Sequence, residues 1–104
     1  MQAGTHGVTI PVRTGVDLTG VTDILLELWA PSDSPETEPP TLSRPLPPTA
    51  IAPPPTAGML NYTVADGDFP AGGLYFVRFT DTSAGVRRTL AESELYIESA
   101  ARAG

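Results

Sequence analysis

Ten of the twelve prolines fall between positions 31 and 57, in a stretch without glycine that holds the doublets Pro39-Pro40 and Pro47-Pro48 and the triplet Pro53-Pro54-Pro55. Proline fixes φ and lacks an amide donor, so this segment cannot be a helix and prefers polyproline II or irregular extended backbone. Within it, only Thr41 to Leu46 could add as a short edge strand. Arg44-Pro45-Leu46-Pro47-Pro48 has the outline of a ligand for an SH3-type groove. Ala50 stands where the next-register proline belongs, so the segment reads as a structural arm or loop.

The sequence on either side of this stretch alternates. Leu60, Tyr62 and Val64 share one face of an extended chain, and Tyr75, Val77 and Phe79 share one face after a break. The pattern predicts strand, turn, strand: a hairpin-like unit over Leu60 to Phe79. Asp66 and Asp68 act in it as turn formers, and Phe69 plugs the end of the core. Val8, Ile10 and Val12 form an earlier strand, placed at a sheet edge because Pro11 has no donor. Val21 to Ala30 is the most apolar segment and could carry a helical stripe. Ten residues between Gly20 and Pro31 is short for a helix, and Ile24, Leu26 and Leu28 alternate with Asp23 and Glu27, so the segment is read as a strand. Leu25 and Trp29 then stand on its outer face, either covered by the loop that follows or marking a contact surface. Val86 to Leu90 and Glu92 to Glu98 supply the last extended run. Leu95 and Ile97 point inward, while Glu92, Glu94, Tyr96 and Glu98 face outward. Residues 1 to 5, the loop from Asp81 to Gly85 and the tail from Ser99 carry no pattern, and both termini are expected to be loose.

A chain of 104 residues fits one domain, spanning 1–104, with room for a core. Cysteine is absent, which excludes disulfides and thiolate metal sites. A net charge of −6 has the wrong sign for neutralising phosphates, so neither nucleic acid nor an anionic membrane is an expected partner. The first twenty residues show no secretory pattern, and no span has the ~20 apolar residues of a membrane helix. Reaction chemistry is equally scarce. His6 has no nucleophile tied to it by sequence and is expected to be a satisfied or solvent-facing histidine and not a catalytic base. Asp66 and Asp68 lack the remaining ligands of a calcium loop. Gly72-Gly73 leads into a strand and not a helix N-terminus. Arg87-Arg88 is expected to pair with nearby carboxylates. No catalytic, cofactor or metal site is expected.

Six or seven short strands with frequent turn signals, no helix and one long proline-rich loop predict an all-β fold, an immunoglobulin-like Greek-key β-sandwich. Five motifs follow one another in order: Val8-Thr9-Ile10-Pro11-Val12, Asp17-Leu18-Thr19-Gly20-Val21-Thr22, Leu26-Glu27-Leu28-Trp29-Ala30-Pro31-Ser32-Asp33, Leu60-Asn61-Tyr62-Thr63-Val64-Ala65-Asp66-Gly67-Asp68-Phe69 and Gly73-Leu74-Tyr75-Phe76-Val77-Arg78-Phe79. In this order the chain resembles small immunoglobulin-like structural proteins of tailed bacteriophages, and is similar in particular to the N-terminal domain of phage baseplate upper proteins, over roughly residues 6 to 98. The resemblance implies a non-enzymatic virion component in a tail, baseplate or fibre attachment. It implies other virion proteins as partners, an oligomeric state in the particle, and localisation in the virion. A capsid decoration or head-fibre protein, and a carbohydrate-binding or adhesion module, are the alternatives. The family's brief hairpin after the second long strand is replaced here by the proline-rich excursion, read as an arm reaching a neighbouring subunit. On that reading Leu25, Trp29, Arg44, Leu46 and Ile51 are the partner-binding residues, and removal of residues 32 to 56 leaves a folded domain defective in assembly.

Overall fold

The computed structural model describes residues 1–83, 85 and 87–99. Six strands follow in chain order: β1 Thr9–Arg13, β2 Ile24–Trp29, β3 Leu42–Leu46, β4 Met59–Thr63, β5 Gly73–Asp81 and β6 Arg88–Ile97. They form two antiparallel sheets, β1-β4 and β3-β2-β5-β6, with the hydrophobic core between them. The fold is an all-β sandwich. The alternation read from sequence sets its layers. Ile24, Leu26 and Leu28 of β2 and Tyr75, Val77 and Phe79 of β5 meet Leu60 and Tyr62 of β4 in one buried cluster, as period-two side-chain placement requires.

The hairpin-like reading of Leu60 to Phe79 is corrected. β4 pairs with β1 in register Ile10↔Tyr62, whereas β5 pairs with β2 and β6 in the other sheet. Residues 64–72 therefore cross between sheets. Alternation specifies a strand's faces and says nothing about its neighbour. Phe69 does plug the core: it is 1% exposed and sets its ring edge-to-face on Tyr75 at 4.9 Å. The Tyr75 hydroxyl in turn donates to the Ala71 carbonyl (2.8 Å) and accepts from the Ala71 amide (3.3 Å), holding the incoming chain against the start of β5.

The proline-rich stretch is also not an arm. Leu42–Leu46 adds to β2 as the edge strand β3, in register Ile24↔Leu46. Two single-turn 3-10 helices follow at Pro48–Ala50 and Pro55–Ala57, each with proline in its first turn, where a missing donor does no harm. Between them Ile51 bridges to Leu60, and the Ala52 amide donates to the Met59 carbonyl at 2.9 Å, so the segment is sewn onto β4. Leu46 and Ala50 are core residues. Excision of 32–56 would remove a strand and part of the core, which overturns the expectation that the remainder stays folded.

The N-terminus is fastened, not loose. Gln2 pairs in parallel with Glu98, Ala3 donates to the Glu98 carbonyl (2.8 Å), Gly4 donates to the Phe69 carbonyl (2.8 Å), and Met1 and Ala3 pack on the core. The Asp17-Leu18-Thr19-Gly20 bend is built locally. Asp17 Oδ1 accepts the Thr19 amide (2.8 Å) and hydroxyl (2.6 Å), and Gly20 takes φ 81°, so that Leu18 and Val21 turn inward. The last extended run forms one strand, β6. It absorbs Leu90 at a bulge opposite Phe79/Thr80, which lets Leu90 and Ile97 both bury. Ala84, Val86 and the tail from residue 100 lie outside the described residues.

Candidate functional site

The densest polar cluster joins β3, β4 and the crossover. Asp68 is 4% exposed, and its Oδ2 accepts from Arg44 Nη2 (2.8 Å), the Tyr62 hydroxyl (2.5 Å) and the Ala65 amide (2.9 Å). Burial alone would raise this carboxyl. The bonds from Arg44 and Tyr62 outweigh it and hold Asp68 below its ordinary range. Burial, reinforced by the Asp68 charge, pushes the Tyr62 phenol well up. Asp68 therefore stays ionised and Tyr62 stays protonated at neutral pH, and neither is poised to exchange a proton with a substrate. Among the described residues no buried side-chain nitrogen or oxygen lacks a partner. Asp68 is thus a turn former, as read from its Ala65 bond, and also the anchor of an ion pair that the turn reading did not contain.

The outer face of the larger sheet carries the second cluster. Trp29 is 2% exposed even though it stands on the outer side. Its indole Nε1 donates to the Glu38 carbonyl (2.9 Å), Phe76 meets it edge-to-face at 5.6 Å, and the Arg78 guanidinium lies 5.0 Å from its ring centre. The loop after β2 has folded back over it. Arg78 is held in turn by Glu92 at 2.8 Å. Glu27 is also buried on this face, accepting from the Thr80 hydroxyl (3.0 Å) and facing Arg87 at 3.5 Å, while Arg88 pairs with Asp81 at 3.0 Å. The expected pairing of the two arginines with carboxylates is present.

The five residues expected to meet a partner are not brought together. Leu46 is a core residue and Trp29 is closed under its loop, so neither is available as a contact. Arg44 is committed to Asp68 on the inner side, Ile51 is half-buried at Leu60, and only Leu25 remains half-exposed on the outer face. The large apolar groups that do reach solvent on this sheet are Leu74 (50%) and Tyr96 (66%), directly opposite each other on β5 and β6. Tyr96 was legible as outward-facing. Leu74 follows from the same alternation, because burying Tyr75, Val77 and Phe79 turns Leu74 and Phe76 to the other side.

Where β1 and β6 face each other across the gap between the sheets, a cleft of about 250 Å³ opens, lined by Ile10 and Val12 on one wall and Leu95 on the other. Tyr62, Val77 and Phe79 contribute to its lining from the core. Among the described residues no group of three or more His, Cys, Asp and Glu side chains could hold a metal ion, and no helix is long and apolar enough to cross a membrane. His6 is exposed. No family model, curated protein or solved structure matches the chain.

Proposed function

We propose that the protein is a non-enzymatic structural component of a tailed bacteriophage virion, in a tail, baseplate or fibre attachment, and that it acts by packing its sandwich against other virion proteins. We read the sandwich as immunoglobulin-like and Greek-key. Four observations support that finer reading of the fold. The order β3-β2-β5-β6 opposite β1-β4 matches the C′-C-F-G and B-E strands of that architecture. The bridge from Ile51 to Leu60 sits where a D strand would meet E. The parallel bridge of Gln2 to Glu98 joins the N-terminus to the last strand. The Tyr75 hydroxyl reaches back to Ala71 at the start of β5, as a tyrosine corner does.

The observation that carries the packing role is the exposed Leu74–Tyr96 pair, set on a sheet whose buried polar side chains, among the described residues, are satisfied internally. An exposed aromatic anchor beside an aliphatic neighbour suits contact with another protein. Packing is assigned to this sheet and not to the proline-rich stretch, which the fold itself consumes. Mass spectrometry and cryo-EM of purified particles from a host carrying the gene test the proposal. The chain is expected in the particle with Leu74 and Tyr96 at an interface, and its absence from purified particles would refute the role.

A further inference from the structure

β6 is the longest strand, and among the described residues most of its outer margin has no neighbour. Glu98 turns its backbone away from β5: its amide donates to the Met1 carbonyl (2.9 Å) and its carbonyl accepts from Ala3 (2.8 Å). In a regular antiparallel strand that orientation recurs at every second residue. Tyr96, Glu94 and Glu92 therefore direct their amides and carbonyls to the same open side. The N-terminal segment occupies only the Glu98 position. It departs at Gly4 toward Phe69 and continues to Val64 next to β4, through the bond from Gly7. A row of backbone donors and acceptors is left as a template for another strand.

The cleft between the sheets lies directly beneath this margin, with Ile10, Val12 and Leu95 on its walls. β1, across the cleft, is the poorer template. Its Val8 carbonyl and the Thr14 amide beyond it bond toward Val64 and Gly58 beside β4, so by the same alternation Thr9, Pro11 and Arg13 face the cleft, and Pro11 has no amide to give. Above the margin the side chains of Glu92, Glu94 and Glu98 are exposed, and among the described residues only Glu92 has a cationic partner. A second copy pairing along the same margin would set these carboxylates against each other, which disfavours self-pairing.

We infer that the open margin from Glu92 to Tyr96 is a strand-addition site for an extended segment of a partner protein in which apolar and basic residues alternate. Apolar side chains enter the cleft and basic ones lie beside Glu92 and Glu94, the arrangement by which β-augmentation gains both affinity and selectivity. The inference takes from the functional reading above only that the occupant is a polypeptide.

The test uses the full chain and two capped peptides about the length of β6, one alternating valine with lysine and one alternating valine with glutamate. Amide hydrogen exchange is followed by NMR. The valine-lysine peptide is expected to slow exchange at Glu92, Glu94 and Tyr96 by roughly tenfold or more, with little change at Ser93 and Leu95, which already bond β5. The valine-glutamate peptide, and a valine-lysine peptide methylated on its β6-facing amides, are expected to leave all five unchanged. Glu94→Lys, an exposed change whose folding is checked by its urea midpoint, should weaken the valine-lysine peptide about fivefold. Equal binding of all three peptides, no protection by any, or self-association through β6 would overturn the inference. Absence of the chain from purified particles would refute the virion role and leave this result standing. Failure of peptide binding by a chain present in particles would refute the strand-addition site alone.

Discussion

Asp68→Ala is the most informative single change, because one carboxylate oxygen serves three donors from three parts of the chain. Its removal leaves the buried Tyr62 hydroxyl without an acceptor, worth about 1–3 kcal/mol. Arg44 loses its partner too, but its side chain is 28% exposed and regains some water, so its share falls below the ~3–5 kcal/mol typical of a fully buried pair broken on one side. Together with the Ala65 amide, the loss is about 3–4 kcal/mol, a large fraction of the ~5–15 kcal/mol that holds a small domain folded. The sign of the pH dependence follows from the depressed carboxyl. Asp68 contributes stability above its unfolded value of about 4, and that contribution is lost as pH falls through the lower folded value. The gap between wild type and Asp68→Ala in urea midpoint, read by Trp29 fluorescence, is therefore expected to be widest near neutrality and to shrink in acid. Asp81, depressed by its bonds from Ser83 and Arg88 against the effect of burial, supplies a separate acid-sensitive share that the variant keeps. A loss below about 1 kcal/mol at neutral pH, or a gap that does not narrow in acid, would refute the assignment of Asp68 as the anchor.

Phe69→Ala empties the plug beneath Tyr75 and is expected to destabilise by about 3–5 kcal/mol in the same urea assay. Excision of residues 42–50 removes β3 with Leu46 and Ala50, and circular dichroism should then report an unfolded chain instead of a trimmed domain. Replacing Leu74 and Tyr96 by glutamate should leave the urea midpoint within the ~0.5 kcal/mol scatter of surface changes, while incorporation into particles, counted by quantitative mass spectrometry, falls away.

The strands were legible because alternation is a local signal: Tyr75, Val77 and Phe79 had to share a face, and they do. Pairing was less so. Nothing in Leu60 to Phe79 records that β4 lies against β1, because a turn-rich linker serves equally to reverse within a sheet or to cross between two. Proline density at 31–57 correctly excluded an α-helix, and it left room for an edge strand, which β3 takes. It then suggested an arm, because composition carries no trace of the Ile51 and Ala52 contacts that sew the segment down. Two of the five expected contact residues, Leu46 and Trp29, are buried for a related reason. Proline neighbours say nothing of the core into which Leu46 turns, and the strand face of Trp29 says nothing of the loop that folds back over it at Glu38. Asp68 could be read as a turn residue from Asp66-Gly67-Asp68, but its bond to Arg44 spans 24 residues and has no local signature.

The separation of β4 and β5 into different sheets also bears on the order of folding. β2-β3 and β5-β6 are close in sequence, whereas Thr9 must find Thr63 to begin the β1-β4 ladder. Closing long loops before contacts reward them slows folding, and sandwiches of this kind fold in about milliseconds to seconds. Joining β2 to β5 closes as long a stretch of chain, from Ile24 to Asp81, so each sheet waits on one distant pairing. Until β1 docks, Tyr62 and Phe79 lack their cover on the side where the finished molecule keeps its cleft, so a segment able to occupy that cleft would find its seat open in a chain whose smaller sheet has yet to close.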